Sequence, residues 1–133
     1  MSSLELQKAI VARLKADAGV TAIVGQRIYD SVPTNATFPY IAIGPDQTLP
    51  SRADCYDGSV VVFQVDGWSR AVGLVEAKRI SEAVREALSD APLTLTGYRL
   101  IDLAFEESRV FRESDVLTSH AAISFRALTE PVN

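Results

Sequence analysis

The clearest strand of this chain reads SVVVFQVDGWSR, residues 59–70. Val61, Phe63 and Val65 share one face of it, because successive side chains of a strand point to opposite sides of the sheet. We predict that this face lies in the core. The opposite face consists of Val62, Gln64, Asp66 and Trp68. Its mixed character predicts contact with water or with a partner, as in an antiparallel sheet that helices cover on one side.

Helical periodicity flanks this strand on both sides in the sequence. Apolar residues recur every three or four positions in residues 2–17 and again in residues 71–89, which predicts two amphipathic helices. Gly19 is placed to end the first helix, since glycine adopts the left-handed conformation at little cost. Residues 20–24 are predicted to form a short apolar turn on the core. The apolar stripes consist of Leu6, Ile10, Leu14, Leu74, Ala77, Ile80, Val84, Ala87 and Leu88.

Further strands are predicted where apolar and polar residues alternate. They cover residues 27–30, 40–44, 93–107 and 121–129, with Ile101, Leu103, Phe105, Ala121, Ile123, Phe125 and Ala127 pointing inward. Residues 45–58 are predicted to be a mobile loop or a hairpin tip, and residues 109–119 a charged hairpin connection. The whole pattern predicts one α+β domain, residues 1–133, in which two main helices flank an antiparallel β-sheet.

The composition argues against several classes of protein. A chain of 133 residues is long enough to fold as one domain without a metal or disulfide staple, and Cys55 is its only cysteine. The net charge of -4 and the pI of about 4.9 argue against binding to nucleic acid or to an anionic membrane, because such binding needs clustered Lys and Arg. Charged residues interrupt the N-terminal segment, which argues against a signal peptide, and no apolar run is long enough to span a bilayer.

Residues suited to catalysis are sparse. His120 is the only histidine, and a general base needs an orienting carboxylate and a nucleophile nearby. Asp102, Glu106 or Asp115 lie within its reach if the last two strands pair, although no motif selects one of them. Cys55 has acidic neighbours, which disfavour a reactive thiolate, and one histidine with one cysteine makes a poor zinc site. No phosphate-binding glycine motif and no GxSxG occur, so we predict no enzyme, cofactor or metal.

The outward face of the predicted sheet is unusually apolar. A sheet covered on one side should be more polar on the other. Either the strands curl so that this face is partly covered, or the face meets another molecule. The apolar residues assigned to it are Val62, Trp68, Tyr98, Leu100, Ala122 and Leu128.

The order of segments resembles one protein family along nearly the whole chain. In this order, the chain contains LQKAIVARLKADAGVTAIVGQRIYDSVP, FPYIAIG, VDGWSR with GLVEAKRISEAVREAL, LTLTGYRLIDLAFEESRVFRE, and FRALTE. From Leu4 to Glu130 this succession resembles the tail-completion, or tail-terminator, proteins of long-tailed phages, prophages and gene transfer agents. The strongest pieces are RIYD with Val32-Pro33, Phe38-Pro39-Tyr40, Trp68-Ser69 and Phe125-Arg126-Ala127.

The resemblance implies a structural virion protein with a tail-terminator-like α+β sandwich fold. Members are expected to form a hexameric ring on the last ring of the tail tube, to stop tube polymerisation and to offer a docking surface to the head-side connector. The implied partners are further copies of the chain, the tail-tube protein and a head-side stopper or adaptor protein, while DNA passes through the channel without specific binding. The implied location is the cytoplasm of the host or producing cell during assembly, and then the head–tail junction of the particle. The resemblance implies no catalytic, cofactor or metal residues.

Three alternatives stay open at this point. The chain is a head–tail adaptor or stopper of the same connector, or a small α+β ligand-binding domain or enzyme that uses His120. A deep pocket beside His120 would favour the second alternative. A nucleic-acid binder is the third, and the acidic composition disfavours it.

Subunit or partner contacts are predicted in the loops and on the outward face. The predicted contact residues are Pro33, Pro39, Tyr40, Arg52, Asp54, Asp57, Trp68, Arg112, Glu113, Asp115 and Arg126. Pro33 and Pro39 are expected to fix a turn and an edge strand, so that replacing them impairs assembly more than folding. Some of Asp54, Asp57, Glu113 and Asp115 are expected to line the channel, where negative charge avoids attraction to phosphate.

Overall fold

The chain folds into three helices and five strands within residues 2–53, 56–89 and 92–132, which are the residues that the computed structural model describes. At positions 52, 53 and 56 it describes the backbone alone. The elements are α1 (Ser2–Ala16), α2 (Ala18–Val24), β1 (Ile28–Tyr29), β2 (Tyr40–Ala53), β3 (Tyr56–Ser69), α3 (Val75–Leu88), β4 (Tyr98–Arg112) and β5 (Ser119–Pro131). The sheet order is β1-β2-β3-β5-β4, and every pair is antiparallel except the short β1–β2 pair. The predicted α+β class is confirmed.

The core lies between the helices and the inner face of the sheet. The predicted inward residues of β3 and β5 are all at most 5% exposed, and Phe63 of β3 stacks on Phe125 of β5 with ring centroids 5.3 Å apart. α3 crosses β3 at Gly67, where a Cβ would lie only 2.5 Å from Cγ2 of Ile80. The period-two alternation of β3 and β5 therefore fixes which face the helices cover. The largest fully buried side chains are those of Phe125, Leu6, Leu14, Ile41, Ile80, Leu88 and Ile123.

The N-terminal helical region differs from the prediction. α1 ends at Ala16, and residues 18–24 form α2 instead of an apolar turn. Gly19 does not end a helix, because it lies in the first turn of α2. The physical reason is Asp17, whose Oδ2 accepts a hydrogen bond from the backbone N–H of Val20 at 3.0 Å and so caps α2. α3 is shorter than predicted, and no helix of the described residues is long and apolar enough to cross a membrane.

Residues 45–58, predicted to be a mobile loop or a hairpin tip, form the outer part of a β-hairpin and are mostly strand. β2 continues to Ala53 and β3 begins at Tyr56, so the two strands form a long hairpin. A bulge at Gly44 and Pro45 interrupts the β2–β3 register, which resumes with Asp46 opposite Phe63. β2 tolerates its prolines because β1 covers only a short part of its outer edge.

β4 departs furthest from simple alternation. The strand runs from Tyr98 to Arg112 instead of residues 93–107, and its register with β5 shifts at Ile101 and again at Glu106. Each of these bulges adds one residue and reverses which side chains point inward. Ile101, predicted to be inward, is therefore 45% exposed, and Tyr98 and Leu100, predicted to be outward, pack against the core. The inward apolar residues of β4 are Tyr98, Leu100, Leu103, Phe105 and Val110.

Candidate functional site

Four ring side chains lie in one row across the outer face of the sheet. The register pairs Tyr40 with Trp68, Trp68 with His120, and His120 with Phe111, so the row crosses β2, β3, β5 and β4. The Trp68 and His120 rings stack with centroids 3.8 Å apart, and the Phe111 centroid lies 4.9 Å from that of His120. We call these four residues the aromatic row. Paired rings of this kind contribute about 0.5–1.5 kcal/mol beyond their area burial.

The aromatic row marks one end of the sheet, where β2 and β5 begin and β3 and β4 end. We call this the aromatic end. Tyr29 and Phe38 extend the row, with ring centroids 5.9 Å and 5.0 Å from that of Tyr40. The Arg70 guanidinium carbon lies 4.3 Å from the Phe38 ring centroid, a cation–π contact. Burial raises the pKa of the Tyr40 hydroxyl above its usual value, against the opposing charge of Arg70, so Tyr40 is neutral near pH 7.

His120 is held between two carboxylates. Its Nε2 lies 2.7 Å from Oδ1 of Asp66, and its Nδ1 lies 2.8 Å from Oε1 of Glu113. One carboxylate oxygen therefore lies within hydrogen-bonding distance of each ring nitrogen. Asp66 also accepts a hydrogen bond from Nε2 of Gln64 at 2.7 Å. The arrangement ties β3, β5 and the end of β4 together on the outer face.

This geometry does not suit acid–base catalysis at His120. In a catalytic triad, a carboxylate orients one ring nitrogen and the other contacts the nucleophile. Here carboxylates occupy both nitrogens. The carboxylates beside the ring are Asp66 of β3 and Glu113, the residue after β4. They are not among Asp102, Glu106 and Asp115, the three that the sequence analysis considered.

Two open grooves border α3 on the helical side of the molecule. A groove of about 440 Å³ opens between α2 and α3, and a second of about 280 Å³ opens between α3 and β4. His120 lines neither of these two grooves. Within the described residues, no group of three or more His, Cys, Asp or Glu side chains is placed to hold a metal ion.

Two loops at the aromatic end expose apolar side chains. Residues 70–74 join β3 to α3, and residues 113–118 join β4 to β5. Val72 is fully exposed, Val116 is 64% exposed and Leu117 is 70% exposed. We call these three side chains the apolar tip.

Asp115 fixes the conformation of the 113–118 turn. Its Oδ1 accepts hydrogen bonds from the backbone N–H groups of Leu117 at 2.9 Å and Thr118 at 2.8 Å, and its Oδ2 accepts one from the Thr118 hydroxyl at 2.7 Å. The Thr118 hydroxyl and the backbone donors hold the pKa of Asp115 below its usual value. Arg70 Nε donates to Oγ1 of Thr118 at 3.2 Å and joins the two loops. Val116 adopts a φ of 64°, which β-branched residues rarely do.

The structure separates the predicted contact residues into two main groups. At the aromatic end lie Pro39, Tyr40, Trp68, Arg112, Glu113 and Asp115. At the opposite end, on the β2–β3 hairpin, Arg52 pairs with Asp57 in the register, although the Arg52 side chain is not described. Asp54 lies outside the described residues, as does Cys55. Arg126 is exposed on the outer face between the two ends.

Pro33 and Pro39 lie in the segment that leads into β2. Pro33 is exposed, and its carbonyl accepts a hydrogen bond from the Ala36 N–H at 3.2 Å. The Pro39 carbonyl accepts a hydrogen bond from Nε of Arg27 at 2.8 Å. Pro33 therefore begins a turn, Pro39 is bonded to Arg27 just before β2, and the predicted role of both prolines in assembly stays a prediction.

The acidic residues predicted to line a channel do not form one cluster. Glu113 is bonded to His120, and Asp115 is bonded within its own turn. Asp57 lies at the other end of the sheet. Asp57 differs from the other two, because no side-chain hydrogen bond or ion pair within the described residues involves it.

Sequence reasoning missed several residues of the aromatic end. Phe111 fell within a segment predicted to be a connection, and Asp66 was assigned a face without a partner. Both need the strand register, which the sequence does not give. The available signal for the apolar tip was the pair Val116-Leu117, two adjacent apolar residues in an otherwise polar turn.

Comparison of the chain with protein families and solved structures identifies the family to which it is similar. The family model described as tail completion protein gp17 matches residues 8–130. Among solved structures, a chain of the virion of a native gene transfer agent particle is 31% identical, with a TM-score of 0.90 over 97% of each chain. The gp17 protein of bacteriophage SPP1 is 24% identical, with a TM-score of 0.64 over 98% of this chain and 91% of that one, and this likeness shows the fold alone. No curated protein sequence matches.

These matches confirm the resemblance to tail-completion proteins that the order of the sequence segments indicated. A family of structural tail proteins also weighs against an enzyme, in agreement with the two occupied nitrogens of His120. The family model covers nearly the whole chain, and the likeness to the gene transfer agent chain extends over both proteins. The chain therefore belongs to the tail completion protein gp17 family of structural virion proteins of phages and gene transfer agents.

Proposed function

We propose that this chain caps the tail tube as a hexameric ring, which ends tube polymerisation and provides the docking surface for the head-side connector. The observation that carries the proposal is the likeness to a chain of a gene transfer agent virion, with a TM-score of 0.90 over 97% of both chains. The same likeness supports a location in the particle, and we place the chain at the head–tail junction after assembly in the cytoplasm of the producing cell.

The surface of the monomer supports a ring. A closed ring of identical subunits needs two different patches that fit each other, because each subunit meets its neighbours head to tail. The aromatic end supplies the exposed apolar tip, and the helical side supplies the groove between α2 and α3. The two surfaces differ in shape and composition, as a head-to-tail contact requires.

The partners follow from the position of such a ring. Further copies of the chain form its sides, the tail-tube protein contacts one rim, and a head-side stopper or adaptor protein contacts the other. DNA passes through without specific binding, and a net charge of -4 limits attraction to phosphate. Asp57 is the acidic residue best suited to test this charge effect, because Glu113 and Asp115 have structural bonds of their own.

Electron microscopy of the chain mixed with its tail-tube subunit tests the proposal. We expect tubes of uniform length, each ending in one ring, whereas tubes grown without the chain have a broad length distribution. Tubes that grow past the chain, together with binding of the chain to isolated head connectors, would contradict the proposal and support the adaptor or stopper function instead.

A further inference from the structure

We propose that the two free edges of the sheet join neighbouring copies of this chain, with β2 of one copy pairing antiparallel with β4 of the next. This contact presupposes the ring proposed above and identifies the surfaces that its subunits share. It joins backbones, and it uses neither the apolar tip nor the α2–α3 groove. Three features carry it: the unpaired backbone groups of both edges, the directions of the strands, and the positions of β1 and of the prolines of β2.

β4 is the outermost strand on one side of the sheet. Within the described residues it pairs with β5, apart from a single bridge between Tyr98 and Leu95. The backbone N–H of Glu113 donates to the Thr118 carbonyl at 2.7 Å, so position 113 faces β5. Hydrogen-bonded and non-hydrogen-bonded pairs alternate along antiparallel strands, and each bulge of β4 adds one residue to this alternation. The backbone groups that face away from β5 are therefore those of Leu100, Leu103, Phe105, Ser108 and Val110.

The helices leave this edge of β4 accessible. Phe105, Ser108 and Val110 line the open groove of about 280 Å³ between α3 and β4. This groove gives the inward side chains of an added strand a place on the helical side of the sheet. An extended segment that joins an exposed edge gains main-chain hydrogen bonds, and pockets beside the edge receive its alternate side chains.

The opposite side of the sheet ends in β2, whose outer edge is free for most of its length. β1 pairs with β2 only at Ile41 and Ala42. Pro50 has no N–H to donate to β3, so this position of the strand faces the free edge. Asp46 and Thr48 alternate with Pro50 in the same unbroken register, so their N–H and C=O groups face the free edge as well.

The strand directions select a second copy of this chain as the occupant. β2, β3, β5 and β4 alternate in direction across the sheet, so β2 and β4 run antiparallel to each other. When copies are related by rotation about an axis along the strands, β4 of one copy meets β2 of the next in the antiparallel sense. A closed ring then pairs both edges of every copy, whereas an unrelated strand fills one edge and leaves the other open.

β1 and the prolines of β2 limit where the added strand pairs. β1 occupies the outer edge at Ile41 and Ala42, and Pro45 and Pro50 supply no N–H. The pairing is therefore centred on residues 46–49. Prolines and bulges on an edge strand guard against unspecific pairing. We accordingly expect free copies to associate weakly, and the contact to form when copies are held side by side on the tail tube.

Hydrogen exchange on capped tubes tests the contact at individual amides. Capped tubes and the dilute free chain are exposed to deuterated water, and each sample is then dissolved in an aprotic solvent, where exchange stops and NMR spectra resolve the amides. We expect the β4 amides that face away from β5 to exchange about tenfold more slowly, or less, in capped tubes than in the free chain. The amides of Asp46 and Thr48 should slow together with them.

The β4 amides that face β5 are the matched control. Those of Ala104, Arg109 and Phe111 are bonded within the free chain, so they should exchange slowly before assembly. Equal exchange of the two sets in the free chain would show that the edge is not open and would overturn the inference. Unchanged exchange of the outward-facing set on capped tubes would overturn it too. Protection of β4 without protection of Asp46 and Thr48 would overturn it in favour of a strand of the tail-tube protein.

A variant of β2 separates assembly from folding. Position 48 faces the free edge, as Pro50 does, so Thr48→Pro removes a donor from the edge and none from the β2–β3 ladder. We expect the melting temperature to stay within a few degrees of that of the natural chain, while ring formation on tubes requires about tenfold more protein. Thr48→Ala keeps the N–H and should form rings like the natural chain.

Ring formation by Thr48→Pro at the natural protein concentration would overturn the inference, as would an equal loss from Thr48→Ala. The exchange experiment uses the natural chain, so it decides the inference even if Thr48→Pro does not fold.

The outcomes distinguish this inference from the proposed function. Capped tubes of uniform length whose outward-facing β4 amides stay unprotected leave the tail-capping function intact and overturn the edge-to-edge contact alone. Tubes that the unmodified chain fails to cap overturn the function and, with it, the ring that this contact would build.

Discussion

The inner and outer faces of β3 and β5 belong to the same strands but are organised differently. On the inner face, Val65, Ala121 and Ile123 are each fully buried, and each contributes by filling space under the helices. On the outer face, individual pairs matter, such as the Trp68–His120 stack and the hydrogen bond from His120 to Asp66. The inner face therefore stabilises the monomer through total buried area, and the outer face through a few specific contacts.

The two glycines that contact neighbouring elements show the same difference. A Cβ at Gly67, on the inner face, would lie 2.5 Å from the Ile80 side chain of α3. A Cβ at Gly44, on the outer face, would lie 2.5 Å from Oδ2 of Asp66 and 3.0 Å from the backbone oxygen of Gln64. One close approach serves helix packing, and the other brings β2 against the carboxylate that holds His120.

The largest effect is expected from Phe125→Ala on the inner face. The ring is 1% exposed and contacts Phe63 and Phe105, so its removal leaves a cavity and should lower the free energy of unfolding by about 3–5 kcal/mol. Chemical denaturation measures the loss. Arg126→Ala, the next residue on the outer face, should change the stability by less than about 0.5 kcal/mol. Equal losses would show that the two faces do not differ in this way.

Gly67→Ala should follow, with a loss of about 1–3 kcal/mol, because the added methyl forces α3 away from β3 or Ile80 into another rotamer. The same measurement on Gly44→Ala sharpens the comparison. There the added methyl pushes against Asp66, so we expect a disturbed His120 ring signal in NMR spectra, whereas Gly67→Ala should leave that signal in place. The reverse pattern would contradict the assignment of the two glycines to separate faces.

His120→Ala should lower the free energy of unfolding by about 1–3 kcal/mol, since Asp66 is largely buried and loses a hydrogen-bond partner. Glu113→Gln is the matched variant on the other ring nitrogen. Its glutamine oxygen still accepts a hydrogen bond, and the site is more exposed, so we expect a smaller loss. A larger loss from Glu113→Gln would mean that the turn, and not the buried carboxylate, holds the histidine.

The smallest effect concerns pH and the 113–118 turn. The pKa of Asp115 is lowered from its usual 3.8 by Thr118 and the backbone donors, with a smaller effect of Arg70. In acid the unfolded chain therefore binds more protons than the folded one, so the contribution of Asp115 is complete above about pH 4 and is lost as the pH falls through the lowered value. The protection of the Leu117 and Thr118 amides against exchange, measured relative to their intrinsic exchange rates at each pH, should fall there in the natural chain. Asp115→Asn, which does not titrate, should show no such pH dependence in this turn.

The sequence predicted the inner face well and the outer end poorly. Alternation in β3 and β5 identified the buried residues correctly, because both strands run through the sheet centre without a bulge. In β4 the prediction was wrong for Ile101, Tyr98 and Leu100, since a bulge at Ile101 reverses the alternation without any local mark in the sequence. For residues 45–58 the polar composition predicted a loop or a hairpin tip. The hairpin is present, but pairing with Val60 to Phe63 makes much of the segment strand, which its composition does not indicate.

The sequence by itself determined the α+β class, the inner faces of β3 and β5, and the family, because periodicity and segment order are properties of the chain read along its length. Only the tertiary structure decided that Tyr40, Trp68, His120 and Phe111 form one row and that Asp66, 54 residues away in sequence, holds His120. The physical reason is the register. A shift of one residue would move every side chain of a strand to the other face, and the register is set by long-range packing and by bulges that local sequence does not specify.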